Sequence, residues 1–299
     1  MKAIIAAFLA NLGIAIAKFV GFAFTGSASM LAEAIHSCAD TTNQGLLFMG
    51  RRRADRPATP DHPFGFGRER FFWSFVVALV IFSFGAVFAL FEGIEKIREP
   101  HKLESAEWAV GILIIAIALE SFSLRTAVQE SRALKGDGSW WNFIRRAKVP
   151  ELPVLLLEDM GALVGLAFAL AGIAAAEITG NARFDAVGSL AIGVLLALIA
   201  CTLVVEMKSL LIGESATPAQ HKAIAAAIED HPLTSRLIHM KTEHLGPEEL
   251  LVGAKVEFTK NLNAAELAAA IDSVEVAMRA AVPDARVIYI EPDVYREPA

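Results

Sequence analysis

Residues 152–175 read LPVLLLEDMGALVGLAFALAGIAA, an apolar run broken at one place, by Glu158 and Asp159. A helix needs about 20 apolar residues to cross a hydrocarbon core roughly 30 Å thick, and this stretch is long enough. Two adjacent carboxylates inside such a run are costly in lipid and are rare without a function. The stretch therefore suggests both a membrane protein and a place within it where chemistry happens.

The rest of the chain supports the first half of that reading. Of its 299 residues 55% are hydrophobic and 20% charged, with mean hydropathy +0.50, more apolar than an ordinary soluble domain. The excess lies in long runs, and six of them qualify as spans: 3–24, 29–50, 71–96, 107–130, 152–175 and 185–210. The opening run is too long, and lacks the small-residue cleavage site, for a cleaved leader, so it is read as the first span. The two cysteines, Cys38 and Cys201, both lie in apolar stretches and imply no disulfide framework.

Basic residues near span ends set orientation. Arg51, Arg52, Arg53, Arg56, Arg68 and Arg70 follow the second span, and Arg132, Lys135, Arg145, Arg146 and Lys148 follow the fourth. The first turn, residues 25–28, has no basic residue, and the turn between spans five and six has only Arg183. Lys96, Arg98 and Lys102 between spans three and four are a mild exception. The expected arrangement is a multi-pass protein of the cell (inner, cytoplasmic) membrane with both termini in the cytoplasm.

From about Glu214 the composition turns to that of a small soluble unit. Helical periodicity over 217–230 precedes β-rich stretches at 236–243 and 250–259, a helix over 264–281 and a last strand over 285–291. The expected fold is thus a six-helix transmembrane domain, 1–212, followed by a small cytoplasmic α-β-β-α-β domain, 213–299. The second domain suits regulation or dimerisation.

Span two contains HSCAD, which places His36 and Asp40 four residues apart on one helical face. His36 lies about 10 Å in from Ser29 and Asp159 about 13 Å in from Pro150, at 1.5 Å per residue. One span enters from outside and the other from inside, so both reach the middle of the membrane. An imidazole nitrogen with two or three carboxylate oxygens suits Zn²⁺, whereas oxygens alone suggest Mg²⁺, Ca²⁺ or Mn²⁺. Such ligands must shed protons to bind metal, so protons and metal compete for the same atoms. Glu33 and Asn43 share the broad face of His36 and Asp40 and are candidates to orient the ligands. Glu120 with Arg125 reads as an ion pair within span four.

These residues resemble the cation diffusion facilitator family. The likeness rests on TGSASMLAEAIHSCADTTNQ across span two, HPFGFGRERFFW entering span three, FDAVGSLAIG opening span six and the closing VIYIEPDV. It covers nearly the whole chain, and the tail looks like the family's metallochaperone-like cytoplasmic domain. The resemblance implies a homodimer that exchanges Zn²⁺ or a related ion for H⁺ by alternating access, with the divalent ion as cargo, no cofactor and no nucleic-acid partner.

Two departures from the family pattern matter. In span five the family has His or Asp four residues before its Asp, and here that position is Leu155, which cannot ligate. Glu158 lies close by on the helical wheel, so the expected metal set is His36, Asp40, Asp159 and Glu158, as in a branch with Glu-Asp in span five. In the tail, the positions of the family's cytoplasmic ligands read Ile238, Lys255 and Tyr289. The loop after span two keeps His62 but has Phe66 four residues on. Cytoplasmic metal sites are therefore expected to be weak or missing. Arg68, with an acid such as Glu214, is a candidate charge pair for holding the dimer or gating it. Fe²⁺, Co²⁺ or Mn²⁺ transport is the nearer alternative. An intramembrane metalloenzyme is the more distant one, and no HExxH motif supports it.

Overall fold

We describe the chain from a computed structural model, which covers residues 8, 12–13, 15–16, 19–20, 23, 28–99 and 106–297. The side chains of 28–37, 82, 106–109 and 112 fall outside that description. The chain divides into two compact units. One comprises Met1–Arg53 with Phe72–Lys208, the other Ala54–Phe71 with Ser209–Ala299.

The first unit is helical. Helix α1, Ala28–Ala54, ends on Arg51, Arg52 and Arg53, whose charge complements the negative end of the helix dipole. Helix α2, Glu69–Val80, passes through a π-helical segment, Ile81–Val87, into α3, Phe88–Arg98. Helix α4 is Ala106–Lys135, the short α5 is Trp140–Arg146, α6 is Glu151–Thr179 and α7 is Arg183–Ile212.

Among the described residues three helical runs are long and apolar enough to cross a membrane: Glu69–Arg98, Glu151–Thr179 and Arg183–Ile212. They coincide with the third, fifth and sixth expected spans. Helices also cover the second and fourth, as α1 and α4, though α1 carries several polar residues along its length. The first expected span, 3–24, lies largely outside the described residues.

Apolar side chains from α1, α2, α5, α6 and α7 meet in one cluster, including Leu47, Val77, Ile144, Val154, Leu157 and Leu203. Between α3 and α7 the packing is reciprocal. Leu190 sits on Gly93, and Leu90 sits on Gly193. A Cβ at those glycines would meet the leucine Cγ atoms at 2.8 and 2.6 Å. Small residues let helix backbones approach this closely, which is how helices pack without a hydrophobic drive between them in lipid.

The second unit is a three-stranded sheet with two helices on one face, in the order α8 (Pro218–Glu229), β1 (Thr234–Gly246), β2 (Glu249–Phe258), α9 (Ala264–Ala281) and β3 (Val287–Pro292). Strand β2 is central, antiparallel to β1 and parallel to β3. Each helix starts with a capping box, Thr217 with Gln220 in α8 and Asn263 with Glu266 in α9, which satisfies exposed backbone donors of the first turn. Strand β2 alternates strictly between buried and half-buried residues. Its buried set, Leu250, Val252, Ala254, Val256 and Phe258, forms the core with Ile224, Ile228, Val274 and Met278.

Strand β1 runs three residues past the expected 236–243, because the segment 54–71 covers its end. A Cβ at Gly67 would lie 2.7 Å from the carbonyl oxygen of Leu245, so the two backbones touch. Arg68 is ion-paired with Glu243, and the buried Arg70 lies 3.6 Å from Glu248. Within the loop, the Arg56 guanidinium stacks 3.9 Å from the centre of the Phe66 ring, which in turn packs on His62 at 4.6 Å.

Candidate metal site

Helical geometry puts Asp40, Asn43, Gln44 and Leu47 along one stripe of α1, spaced i, i+3, i+4, i+7. Helix α6 presents Glu158 and Asp159 one turn beyond Leu155. The two helices meet at this level. The Asn43 amide nitrogen donates to Glu158 Oε1 at 2.9 Å, and Asn43 is only 2% exposed. A third helix contributes from the other side, where Ser123 of α4 donates its hydroxyl to Asp159 Oδ2 at 2.9 Å. Asp159 is itself buried. Asp40 is within electrostatic reach of both Glu158 and Asp159, and Glu120 within reach of Glu158.

The atoms left over define what this place can do. Glu158 Oε2 and Asn43 Oδ1 are buried without a hydrogen-bond partner. An unsatisfied buried oxygen costs on the order of 1–3 kcal/mol and calls for an explanation. Both are oxygen acceptors, and both belong to a group gathered with further carboxylates. Water or a cation can meet atoms of this kind. The donors to Glu158 and Asp159 are neutral, an amide and a hydroxyl, so they orient the carboxylates without cancelling their charge.

The expected site residues fare differently. The structure brings Asp40, Glu158 and Asp159 into one neighbourhood and adds Asn43 as a hydrogen-bonded member. His36 and Glu33 belong to α1, but their side chains lie outside the described residues. Among the described residues no three His, Cys, Asp or Glu side chains are close enough together to hold a metal. Leu155 packs with apolar neighbours in two clusters and lines a small cavity with Gln44, Leu47, Arg51 and Glu151. Arg125 is exposed on α4, about 140° around the helix from Glu120, so the ion pair expected between them does not fit the helix. The partner seen for Arg68 is Glu243, while the carbonyl of Glu214 accepts the N–H of His244 at 2.8 Å.

On the sheet, Lys255, Tyr289 and His239 line a shallow depression with Glu291 and Lys241. The register sets Lys255 between His239 and Glu291. Its ammonium lies 2.9 Å from Glu291 Oε1 and 3.2 Å from Asp293 Oδ2. Hydrogen bonds to Glu291 and then Asp293 raise the Lys255 pKa above its ordinary value. The N–H of Val294, and then Lys255, hold Asp293 below the usual carboxylate range.

Fold and site together define a class: a multi-pass helical membrane protein with a polar, acid-rich cluster between helices and a small α+β tail. Residues 4–212 match the model of the cation efflux transmembrane domain, and the chain belongs to the cation diffusion facilitator, or cation efflux, family. It is 34% identical over 243 residues to the proton-coupled zinc antiporter SLC30A9, mitochondrial, of Homo sapiens, a match covering 81% of this chain and 43% of the human one. Metal tolerance protein C4 of Arabidopsis thaliana is 28% identical over 243 residues, 81% of this chain and 53% of that protein. The cation-efflux pump FieF of Pectobacterium atrosepticum is 26% identical over 271 residues, 88% and 83% of the two chains. The chain thus spans about half the length of the first two relatives and most of the third.

Proposed function

We propose that this chain is a secondary transporter that carries a divalent transition metal, Zn²⁺ foremost, out of the cytosol in exchange for protons. His36, Asp40, Glu158 and Asp159 hold the ion, and Asn43 and Ser123 orient the carboxylates. The observation that carries this reading is the Asn43–Glu158 hydrogen bond. It joins α1 to α6 beside Asp40 and leaves an oxygen on each partner unsatisfied.

The coupling follows from the ligand chemistry. A carboxylate or imidazole binds metal only when deprotonated, so proton arrival on the far side displaces the ion. Similarity to a human proton-coupled zinc antiporter and a bacterial cation-efflux pump supports the same reading. The basic segments after spans two and four support a cytoplasmic placement for both termini in the cell membrane. The transmembrane domain is read as 1–212 and the tail, 213–299, as a regulatory and dimerising unit of a homodimer. In that tail the Lys255 ammonium occupies the position where a cation would sit between Glu291 and Asp293, so the sheet needs no metal.

Zn²⁺ uptake into proteoliposomes under an imposed pH gradient tests the proposal. Uptake should require the gradient and vanish in Asp159→Ala. Uptake that ignores the gradient would remove the proton coupling, and hydrolytic activity without flux would point to the enzyme reading instead.

A further inference from the structure

Helix α5 reads WWNFIRR, seven residues or about 10 Å long, too short to cross a bilayer. Gly136 in the left-handed region (φ 56°) breaks α4 before it, and Ser139 caps it by accepting the N–H of Asn142 at 3.1 Å. One side is docked: Phe143 and Ile144 are buried, Phe143 against Ala127 of α4 and Leu156 of α6. The other side carries Trp141, 56% exposed, and the exposed Arg146, while Arg145, one turn on from Trp141, is paired with Glu206 at 3.3 Å. Trp140 stands edge-on to Phe143, with the Lys135 ammonium 5.2 Å from its ring centre.

An indole in water exposes a large apolar area, yet its N–H wants a polar partner. The headgroup layer of a bilayer meets both needs. Leu119, Phe122 and Leu134 of α4 and Met160 of α6 are exposed apolar side chains on the helices that α5 packs against. The exposed Arg146, on the same undocked half of the helix as Trp141, supplies the complementary charge for phosphate.

We propose that α5 lies in the plane of the membrane as an anchor for anionic phospholipid, with Trp141 at the headgroup–acyl boundary and Arg146 on lipid phosphate. Through Phe143 and Leu156 the anchor holds the ends of α4 and α6, the helices that carry Ser123, Glu158 and Asp159. The assignment does not depend on which ion is transported.

The test uses the full-length triple variant W73F/W108F/W140F, which leaves Trp141 as the sole indole, in vesicles of phosphatidylglycerol and phosphatidylcholine. Lipids brominated high on the acyl chain should quench its fluorescence strongly, and lipids brominated near the chain end weakly. Phosphatidylglycerol should be enriched around Trp141, and Arg146→Gln in the same background should reduce that enrichment about fivefold. Trp141 quenched by aqueous iodide and not by bromolipid would overturn the proposal and mark the face as open to water or to a protein. Equal quenching in purely zwitterionic vesicles, unchanged by Arg146→Gln, would overturn the anionic specificity.

Discussion

Two places in this molecule gather carboxylates, and they treat the charge in opposite ways. On the sheet, Glu291 and Asp293 close on the ammonium of Lys255. In the helical unit, Glu158 and Asp159 receive hydrogen bonds from an amide and a hydroxyl, with Asp40 nearby adding charge of the same sign. Neutral donors fix a carboxylate's direction but leave its charge for something else to meet. The first arrangement already holds its cation as a side chain. On the proposed reading, the second receives its cation from outside and releases it.

Removing a carboxylate from the helical cluster should have the largest effect. Asp159→Ala and Asp40→Ala should each reduce Zn²⁺ flux to background in reconstituted vesicles, beyond the roughly 10- to 100-fold that loss of an orienting partner costs in metal affinity. Glu158→Ala should do the same if Glu158 stands in for the missing ligand at Leu155. Unchanged flux and affinity in Glu158→Ala, with Asp159→Ala inactive, would remove Glu158 from the set. One step down, Asn43→Ala and Ser123→Ala should each weaken Zn²⁺ binding by about 10- to 100-fold, measured by isothermal titration, without abolishing it.

Gly67→Val belongs to the sheet unit and should leave the ion site alone. Its Cβ would press on the backbone of Leu245 and Gly246, costing about 1–3 kcal/mol, read as a lower midpoint in chemical denaturation. The smallest effect sharpens the comparison most. Lys255→Ala should leave flux unchanged while adding weak divalent binding that depends on Glu291 and Asp293. The same variant should move the Asp293 titration upward. With Lys255 present, the lowered Asp293 pKa makes this contact stabilising above the ordinary carboxylate range. That contribution is lost as pH falls through the lowered value. Carboxyl NMR across acid pH checks the shift.

Much of this was legible in the residues. Apolar runs located the helices over the second to sixth expected spans, though not the short α5, and the α-β-β-α-β order of the tail followed from its change of period. Asp40, Asn43, Glu158 and Asp159 stood out because polar groups are costly in such runs. Ser123 did not stand out, for a physical reason. Hydroxyls in helices commonly bond the carbonyl four residues back, as Ser121 does to Ile117 and Thr126 to Phe122. Ser123 instead reaches across to another helix, and composition cannot distinguish the two behaviours. Strand register was equally hidden. Glu243 as the partner of Arg68, and Glu291 beside Lys255, depend on pairings that no local pattern fixes.

Metal binding to the full chain, measured with Asp40→Asn and Asp159→Asn separately and together, addresses the shared site most directly. Groups from two helices that hold one ion are not independent. Each single substitution should therefore abolish stoichiometric Zn²⁺ binding, and the double variant should be no worse than either. Tight stoichiometric binding that survives either single substitution, with losses that simply add in the double, would show that the two helices do not share an ion.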